Sequence, residues 1–314
     1  MNLVGRTLIT AGVLVLLFVV YQLYGTGIRE AQAQSRLEDQ FNEKLAQADS
    51  SGDGATIGST SSTSDPASST SSDTVTSETL PATTAPATGV APVKGEAIGQ
   101  IVIPKIGLDA YVIEGVDDAD LHQGPGHYPG TPLPGQAGNS AIAGHRTTYG
   151  APFGNIDQLV PGDKITVTTI QGTFTYAVLA QPDGSGHIIV NPNQSEVLND
   201  VGDNRLTLTA CHPKYSASKR IVVFAQLQGE PKPAPPPVDH DGPQTVVSLD
   251  LGTETGPKRP VFLYGLLCAA IWIAAWLIGK RWRKWPAYFI GLPFFLVALF
   301  YFFENFSRLL PSNF

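Results

Sequence analysis

Cys211 carries the most reactive side chain outside the apolar stretches of this 314-residue chain. There are two cysteines, and the other, Cys268, lies inside an apolar run of membrane length. The two therefore belong to different solvents and do not pair, which leaves Cys211 as a free thiol on the exported side. A free thiol there points to nucleophilic chemistry, which needs a proton partner and a donor that steadies charge on the attacked carbonyl. His145, in Ala143-Gly144-His145-Arg146, is the candidate proton carrier, because a histidine at a strand-to-loop junction is aimed by the scaffold without joining the core. Arg220 is the candidate donor: a tight return through residues 213–218 brings its guanidinium beside the sulfur, where it lowers the thiol pKa and binds an oxyanion. His212 is adjacent in sequence, but strand alternation turns it the opposite way and Pro213 ends the ladder. Taken singly, each residue also has an ordinary reading: a small buried hydrophobe, a surface-loop histidine, a solvated strand-edge charge.

The elements that must position these residues read as β. Residues 98–106, 140–143, 164–169, 173–179, 205–211 and 220–227 are short runs rich in Val, Ile, Thr, Phe and Tyr, separated by Pro-Gly, Gln-Gly and Asp-Gly turns. Within 205–211 the alternation puts Leu206, Leu208 and Ala210 on one face and Thr207, Thr209 and Cys211 on the other. Lys219 faces away from Cys211. No long amphipathic helix falls inside residues 94–229, so this unit is all-β, a small barrel or sandwich with one modest core. The acidic group Asp117, Asp118 and Asp120 reads as a solvated loop rather than a calcium site, and no metal or other cofactor is called for.

Apolar patterning sets the rest of the organisation. Residues 1–24 hold a run at 8–24 close to the roughly 20 residues that cross a bilayer as a helix, and read as a signal anchor. Ala31-Gln32-Ala33 resembles a signal-peptidase site but lies too far past that run. Residues 25–93 begin with helix formers at 29–48 and continue as a stalk of Ser, Thr, Ala, Pro, Gly and Asp from 50 to 92, a composition that buries too little to fold. The stalk is accordingly dispensable for chemistry, which is expected to reside in 94–229. A Pro-rich linker, 230–260, leads to two further spans at 261–279 and 287–303, joined by the basic segment 280–286, and a tail follows at 304–314. Four cations in Lys280-Arg281-Trp282-Arg283-Lys284, flanked by Trp282 and Trp285, place that loop in the cytoplasm and residues 25–260 outside, against the minor vote of Lys258 and Arg259. The expected location is a multi-pass cell-membrane protein with its folded domain extracytoplasmic. With 27 acidic against 20 basic residues and no basic tract beyond the membrane flanks, nucleic acid is not an expected partner.

Three separated segments then carry a family resemblance. Thr207-Leu208-Thr209-Ala210-Cys211, followed on the next strand by Arg220, resembles the sortase signature Thr-Leu-x-Thr-Cys … Arg, and Ala143-Gly144-His145-Arg146 resembles the sortase histidine motif. Cys211-His212-Pro213 and the stretch 145–153 are most similar to class E, the housekeeping-type sortases of high-GC Gram-positive bacteria. The resemblance covers about residues 96–227 and implies an eight-stranded sortase β-barrel with short helices, here with one N-terminal and two C-terminal transmembrane helices. It also implies a cysteine transpeptidase that cleaves the Thr-Gly bond of a Leu-Ala/Pro-x-Thr-Gly-like sorting signal through a thioacyl intermediate. Cys211 is then nucleophile, His145 proton carrier and Arg220 oxyanion donor. Partners are exported proteins bearing the signal, an amine of the lipid-linked peptidoglycan precursor, and the membrane. Tyr128, in Gly126-His127-Tyr128-Pro129-Gly130, is the candidate that discriminates Ala from Pro in the signal, its alternative being a turn aromatic packed on the barrel.

Two departures from the pattern stand out. Ala210 replaces the usual second Thr but points to the apolar face. The paired C-terminal spans exceed what a minimal class E protein needs and are similar to the C-terminal anchor of pilin polymerases, yet Asp65-Pro66-Ala67 lacks the aromatic residue of their Asp-Pro-aromatic lid. The remaining alternatives are a pilin-polymerising sortase with a Lys acceptor and a catalytically silent peptide-binding barrel. An L,D-type transpeptidase is disfavoured because its Ser-x-Gly-Cys signature is missing.

Overall fold

The computed structural model describes residues 3–52, 92–233, 258–281 and 284–307. The stalk from 53 to 91, including Asp65-Pro66-Ala67, and most of the Pro-rich linker lie outside the described residues.

Among the described residues nine strands form one sheet: β1 (Ala97–Ile103), β2 (Leu108–Glu114), β3 (Gly126–His127), β4 (Asn139–Ala143), β5 (Lys164–Thr169), β6 (Gly172–Val178), β7 (Ile188–Val190), β8 (Arg205–His212) and β9 (Lys219–Gln228). The order β6-β5-β1-β2-β3-β4-β8-β9 closes on itself through a β6–β9 pairing, giving an eight-stranded barrel. The long β9 has room on that edge for two partners, β6 along its second half and the short β7 along its first. β2–β3 and β4–β8 run parallel and the other pairs antiparallel. Closure leaves few open ladder groups, which is how a small all-β domain escapes edge pairing.

Alternation sorts the strands as expected. Ile101, Ile103, Val112, Ile142, Ile165, Val167, Leu206, Leu208, Ala210, Ile221, Val223 and Ala225 fill one buried core, where each large aliphatic side chain contributes about 1.5–3 kcal/mol by leaving water. A second, smaller cluster lies on the other face of β4, β8 and β9, formed by Tyr128, Ala141, Ala143, Val190, Leu198 and Val222, with Cys211 and Phe224 packed against it. The site is built on this second face.

Five α-helices accompany the strands among the described residues: α1 (Leu3–Val20), α2 (Thr26–Gly52), α3 (Asp118–Leu121), α4 (Lys258–Arg281) and α5 (Lys284–Ser307). A π-helical turn, Tyr21–Gly25, joins α1 to α2 without a break. The acidic group has a structural task, since Asp117 and Asp120 form a reciprocal capping box at the start of α3 and Lys94 pairs with Asp117. α2 exceeds the expected 29–48 stretch by a few residues at each end and packs on the barrel, with Leu37 and Phe41 buried against Ala97 and Ile113.

Among the described residues α4 and α5 each contain a stretch long and apolar enough to cross a membrane, Arg259–Arg281 and Tyr288–Phe306, and α1 holds a shorter apolar helix, Leu8–Val20. Phe18 and Tyr21 pack edge-on against Phe303 and Phe300, each at 5.2 Å between ring centroids. Just beyond, Arg29 pairs with the buried Glu304 of α5.

Candidate active site

Register brings two of the three expected residues together and leads the chain of the third to the same end of the sheet. Cys211 on β8 is paired directly with Arg220 on β9, as the tight return requires. β4 runs parallel to β8 with Ala143 opposite Thr209, and Gly144 N–H extends the ladder to Thr209 O at 3.0 Å. β4 ends at Ala143, and His145 follows two residues later at the same end of the sheet as Cys211. Cys211 shares its face with Thr207 and Thr209, while Ala210 is fully buried in the barrel core.

Arg220 is 3% exposed, and its guanidinium donates to the carbonyls of Ala217 (2.9 Å) and Lys219 (3.1 Å) in the return loop. Both bonds leave one nitrogen, Nη1, and they hold the planar group in the return loop. Lys219 is exposed, and His212 points away, within 3.2 Å of Arg146. Arg146 in turn pairs with Asp157 at 2.7 Å, tying the histidine loop to the turn after it.

The loop that carries His145 is tightly folded. Gly144 lies under the Phe153 ring, which a β-carbon there would meet at 2.6 Å, and Phe153 N–H donates back to His145 O at 3.0 Å. Tyr149 and Ala151 adopt left-handed φ of 49° and 47°, a conformation that costs energy without glycine and persists only where surroundings impose it. The His145 ring is buried, its Nε2 makes no hydrogen bond among the described residues, and it sits in an aromatic group with Tyr149 (5.2 Å) and His122 (5.9 Å). His122 and Tyr149 are themselves stacked at 3.7 Å, and His122 is paired with Asp118 at 3.2 Å.

Burial dominates the electrostatics of this resting site. It pushes the Cys211 thiol above its ordinary range, with Arg220 and Arg146 pulling the other way without prevailing. It likewise lowers His145 to about 4, with further lowering from His122. Burial thus favours the uncharged form of each group. The expectation that Arg220 lowers the thiol pKa holds for the sign of its own effect but not for the net.

Tyr128 is wholly buried, and its hydroxyl is 3.0 Å from Thr209 Oγ1, two residues before Cys211. Burial holds its phenol up at about 12, so it stays protonated. Its neighbour His127 is anchored beside it by Glu114 (2.7 Å) and by Pro132 O (3.0 Å).

Sequence alone does not single out His122, Tyr149 or the α2 residues that reach this region. Tyr149 lies inside the stretch 145–153 that carries part of the resemblance. The α2 positions Thr26, Glu30, Gln34, Leu37 and Phe41 recur at helical spacing, a signal readable as one buried face.

Comparison with known proteins points to one family of domains. A sortase domain model matches residues 101–228, from β1 to the end of β9. Sortase SrtE1 of Streptomyces coelicolor is 30% identical over 247 residues, 72% of this chain and 57% of that protein. Sortase A of Bacillus anthracis is 33% identical over 137 residues, 43% of this chain and 62% of that one. Among solved structures, sortase E from Streptomyces avermitilis is 34% identical, covering 44% of this chain and 91% of the other, with a TM-score of 0.38. The chain thus spans roughly three-fifths of the length of these two curated relatives. Residues 101–228 thus match the sortase domain, the domain of a family of cysteine transpeptidases, and the chain is similar to named sortases over stretches longer than that match.

Proposed function

We propose that this protein is a membrane-anchored sortase that cleaves the Thr-Gly bond of a Leu-Ala/Pro-x-Thr-Gly-like signal on exported proteins and joins the new carboxyl end to a peptidoglycan-precursor amine. The observation that best supports the reading is the direct pairing of Cys211 on β8 with Arg220 on β9, with β4, the strand that leads to His145, lying parallel beside β8.

The uncharged forms that burial favours define the proton path. As Cys211 Sγ bonds to the threonine carbonyl carbon, its proton passes to His145, and the oxyanion is held by Arg220. The C–N bond then breaks, His145 returns the proton to the departing glycine amine, and a thioester remains. In the second half an incoming amine attacks that thioester, His145 takes the amine's proton, and the proton goes to the departing Cys211 sulfur. Tyr128, whose hydroxyl meets Thr209 two residues before Cys211, discriminates Ala from Pro in the signal by fixing that strand.

The membrane arrangement follows the same reading: the N-terminus and the 280–286 loop in the cytoplasm, the barrel outside. It is supported by the Arg29–Glu304 pair, which joins the barrel-side ends of the N-terminal helix and α5, while Lys280 and Arg281 close α4 at its far end. An introduced cysteine beside Lys284 should resist an impermeant reagent in intact cells; labelling from outside would reverse the topology.

The function is tested with the full-length protein in detergent micelles and a Leu-Ala-x-Thr-Gly peptide. Mass spectrometry should find the peptide, without its glycine, on Cys211, and added diaminopimelate should release it as an amide. Absence of any thioacyl adduct would leave a silent binding barrel, and release only by a Lys-bearing pilin peptide would replace the acceptor.

A further inference from the structure

The juxtamembrane helix α2 lies outside the barrel sequence, yet one of its faces reaches the aromatic group around His145. Thr26 Oγ1 accepts the backbone N–H of Tyr149 at 3.2 Å. One turn on, the Glu30 carboxylate lies against Gly150, where a β-carbon would meet it at 2.6 Å, and φ is +72°. One turn further, Gln34 meets β2 and the chain after α3: its Nε2 donates to Tyr111 O (3.0 Å) and Gln123 O (2.8 Å), and its Oε1 accepts Tyr111 N–H (2.7 Å).

These contacts have a physical logic. β3 has two residues and covers β2 at Ile113 and Glu114, so among the described strands none pairs with the backbone of Tyr111 on that edge. The Gln34 amide supplies both bonds, as a strand would. Residues 149–151 all have positive φ, and such a turn needs an external hold. Thr26 and Glu30 supply it, through Tyr149 N–H and against Gly150.

We propose that α2 is a positioning element of the catalytic site: by holding the loop at Tyr149 and Gly150 and the chain at Gln123, it fixes the two rings, Tyr149 and His122, that set the orientation of His145. Ala33, Leu37 and Phe41 are buried on the same helix and give it a fixed seat on the barrel. Because α2 is continuous with α1, and Arg29 next to Glu30 is tied to Glu304 of α5, the membrane anchor and the catalytic loop form one mechanical unit. The histidine is then best aligned when the helix is seated, and the expectation that 94–229 carries full chemistry alone gives way to one in which the domain works with α2 attached.

The inference rests on His145 being the proton carrier, and the experiment separates the two. Single-turnover acylation by the Leu-Ala-x-Thr-Gly peptide is measured on the full-length protein with Thr26→Val, Thr26→Ser, Gln34→Glu and His145→Ala. Thr26→Val and Gln34→Glu should each lower the acylation rate about tenfold with the peptide concentration dependence held within about twofold, since misalignment costs rate rather than binding. Thr26→Ser keeps the acceptor oxygen and should react like the parent. In a His145→Ala background, Thr26→Val should add nothing, because a positioning residue acts through the group it positions. An equal further loss in that background, or parent-like acylation by both Thr26→Val and Gln34→Glu, would overturn the proposal while leaving His145 in place. Parent-like acylation by His145→Ala would instead overturn the mechanism on which it rests.

Discussion

The two faces of β8 are buried to a similar degree and built on opposite principles. Leu206, Leu208 and Ala210 meet Ile142, Ile221, Val223 and Ala225 in a wholly apolar core. Thr207 and Thr209, one residue out of phase, are equally inaccessible, but each spends its hydroxyl on a directed bond, to Asn139 Oδ1 at 2.6 Å and to the Tyr128 hydroxyl at 3.0 Å. The first face is held by area and contact, which many side chains supply. The second is held by matched donors and acceptors, each costly to leave alone, and so it maintains one arrangement around Cys211. Stability and chemistry are thus separated by the alternation of a single strand.

That separation is broken most severely by a reciprocal pair of variants. Leu208→Ala should cost about 2–5 kcal/mol of barrel stability through the cavity it leaves, while the molecules still folded acylate near the parent rate. Cys211→Ala should abolish the thioacyl adduct and shift unfolding little. Chemical unfolding and adduct mass spectrometry on both variants give the four values needed, and a catalytic defect in folded Leu208→Ala would show that the faces are coupled.

Arg220 tests whether the second face works by charge or by geometry. Its Nη1 is tied to the carbonyls of Ala217 and Lys219, which leaves the other guanidinium donors in a fixed plane that a lysine ammonium does not reproduce. Arg220→Lys and Arg220→Ala should therefore both slow acylation by about a hundredfold or more. Recovery of most activity by lysine would reduce the role to field alone.

The pH response sharpens the same contrast, because burial of titratable groups belongs to the second face. His145 has a folded pKa of about 4 against an ordinary 6.5, so the unfolded chain binds more protons between those values. Its contribution to stability is fully present above pH 6.5 and is lost as pH falls through 4. His145→Asn should flatten that acid limb in a pH series of unfolding measurements. The Cys211 thiol, pushed above its ordinary 9.0, should alkylate slowly at neutral pH and faster through pH 9 and beyond; a plateau already at pH 7 would show a resting thiolate–imidazolium pair.

The same physical split explains which features are legible in the sequence and which are not. β5 matches its expected bounds to the residue, and β4, β6, β8 and β9 match within one or two, because their alternation and turn residues are local signals. β2 escapes a sequence reading because Pro104–Ile106 turns the chain inside the expected 98–106 strand. β3 and β7, with two and three residues, are too short to show a period and exist only because neighbours pair with them. Cys211, His145 and Arg220 are readable as types in order along the chain, whereas the His122–Tyr149 stack and the grip of α2 join segments far apart in sequence. No local pattern encodes such contacts.

The smallest expected effect is at Tyr128, where the two faces come nearest to trading roles. Its ring packs as a core residue with Ala141, Ala143 and Val222, while its hydroxyl belongs to the polar network through Thr209. Tyr128→Phe keeps the ring and removes the hydroxyl, leaving the buried Thr209 Oγ1 without that partner. Stability should fall by about 1–2 kcal/mol, the cost of a lost bond plus part of an unsatisfied hydroxyl. Since Thr209 precedes Cys211 by two residues on the same face, relaxation there shifts the surroundings of the thiol, and the Leu-Ala to Leu-Pro preference in kcat/KM should shift by a few-fold. Thr209→Val removes the same bond from the other end, so the double variant should be no more selective or less stable than the sum of its parts minus that one shared interaction. Competition between the two peptides in one reaction measures the preference directly. A stability loss with an unchanged ratio would assign Tyr128 wholly to packing and move selectivity to the loops around the thiol.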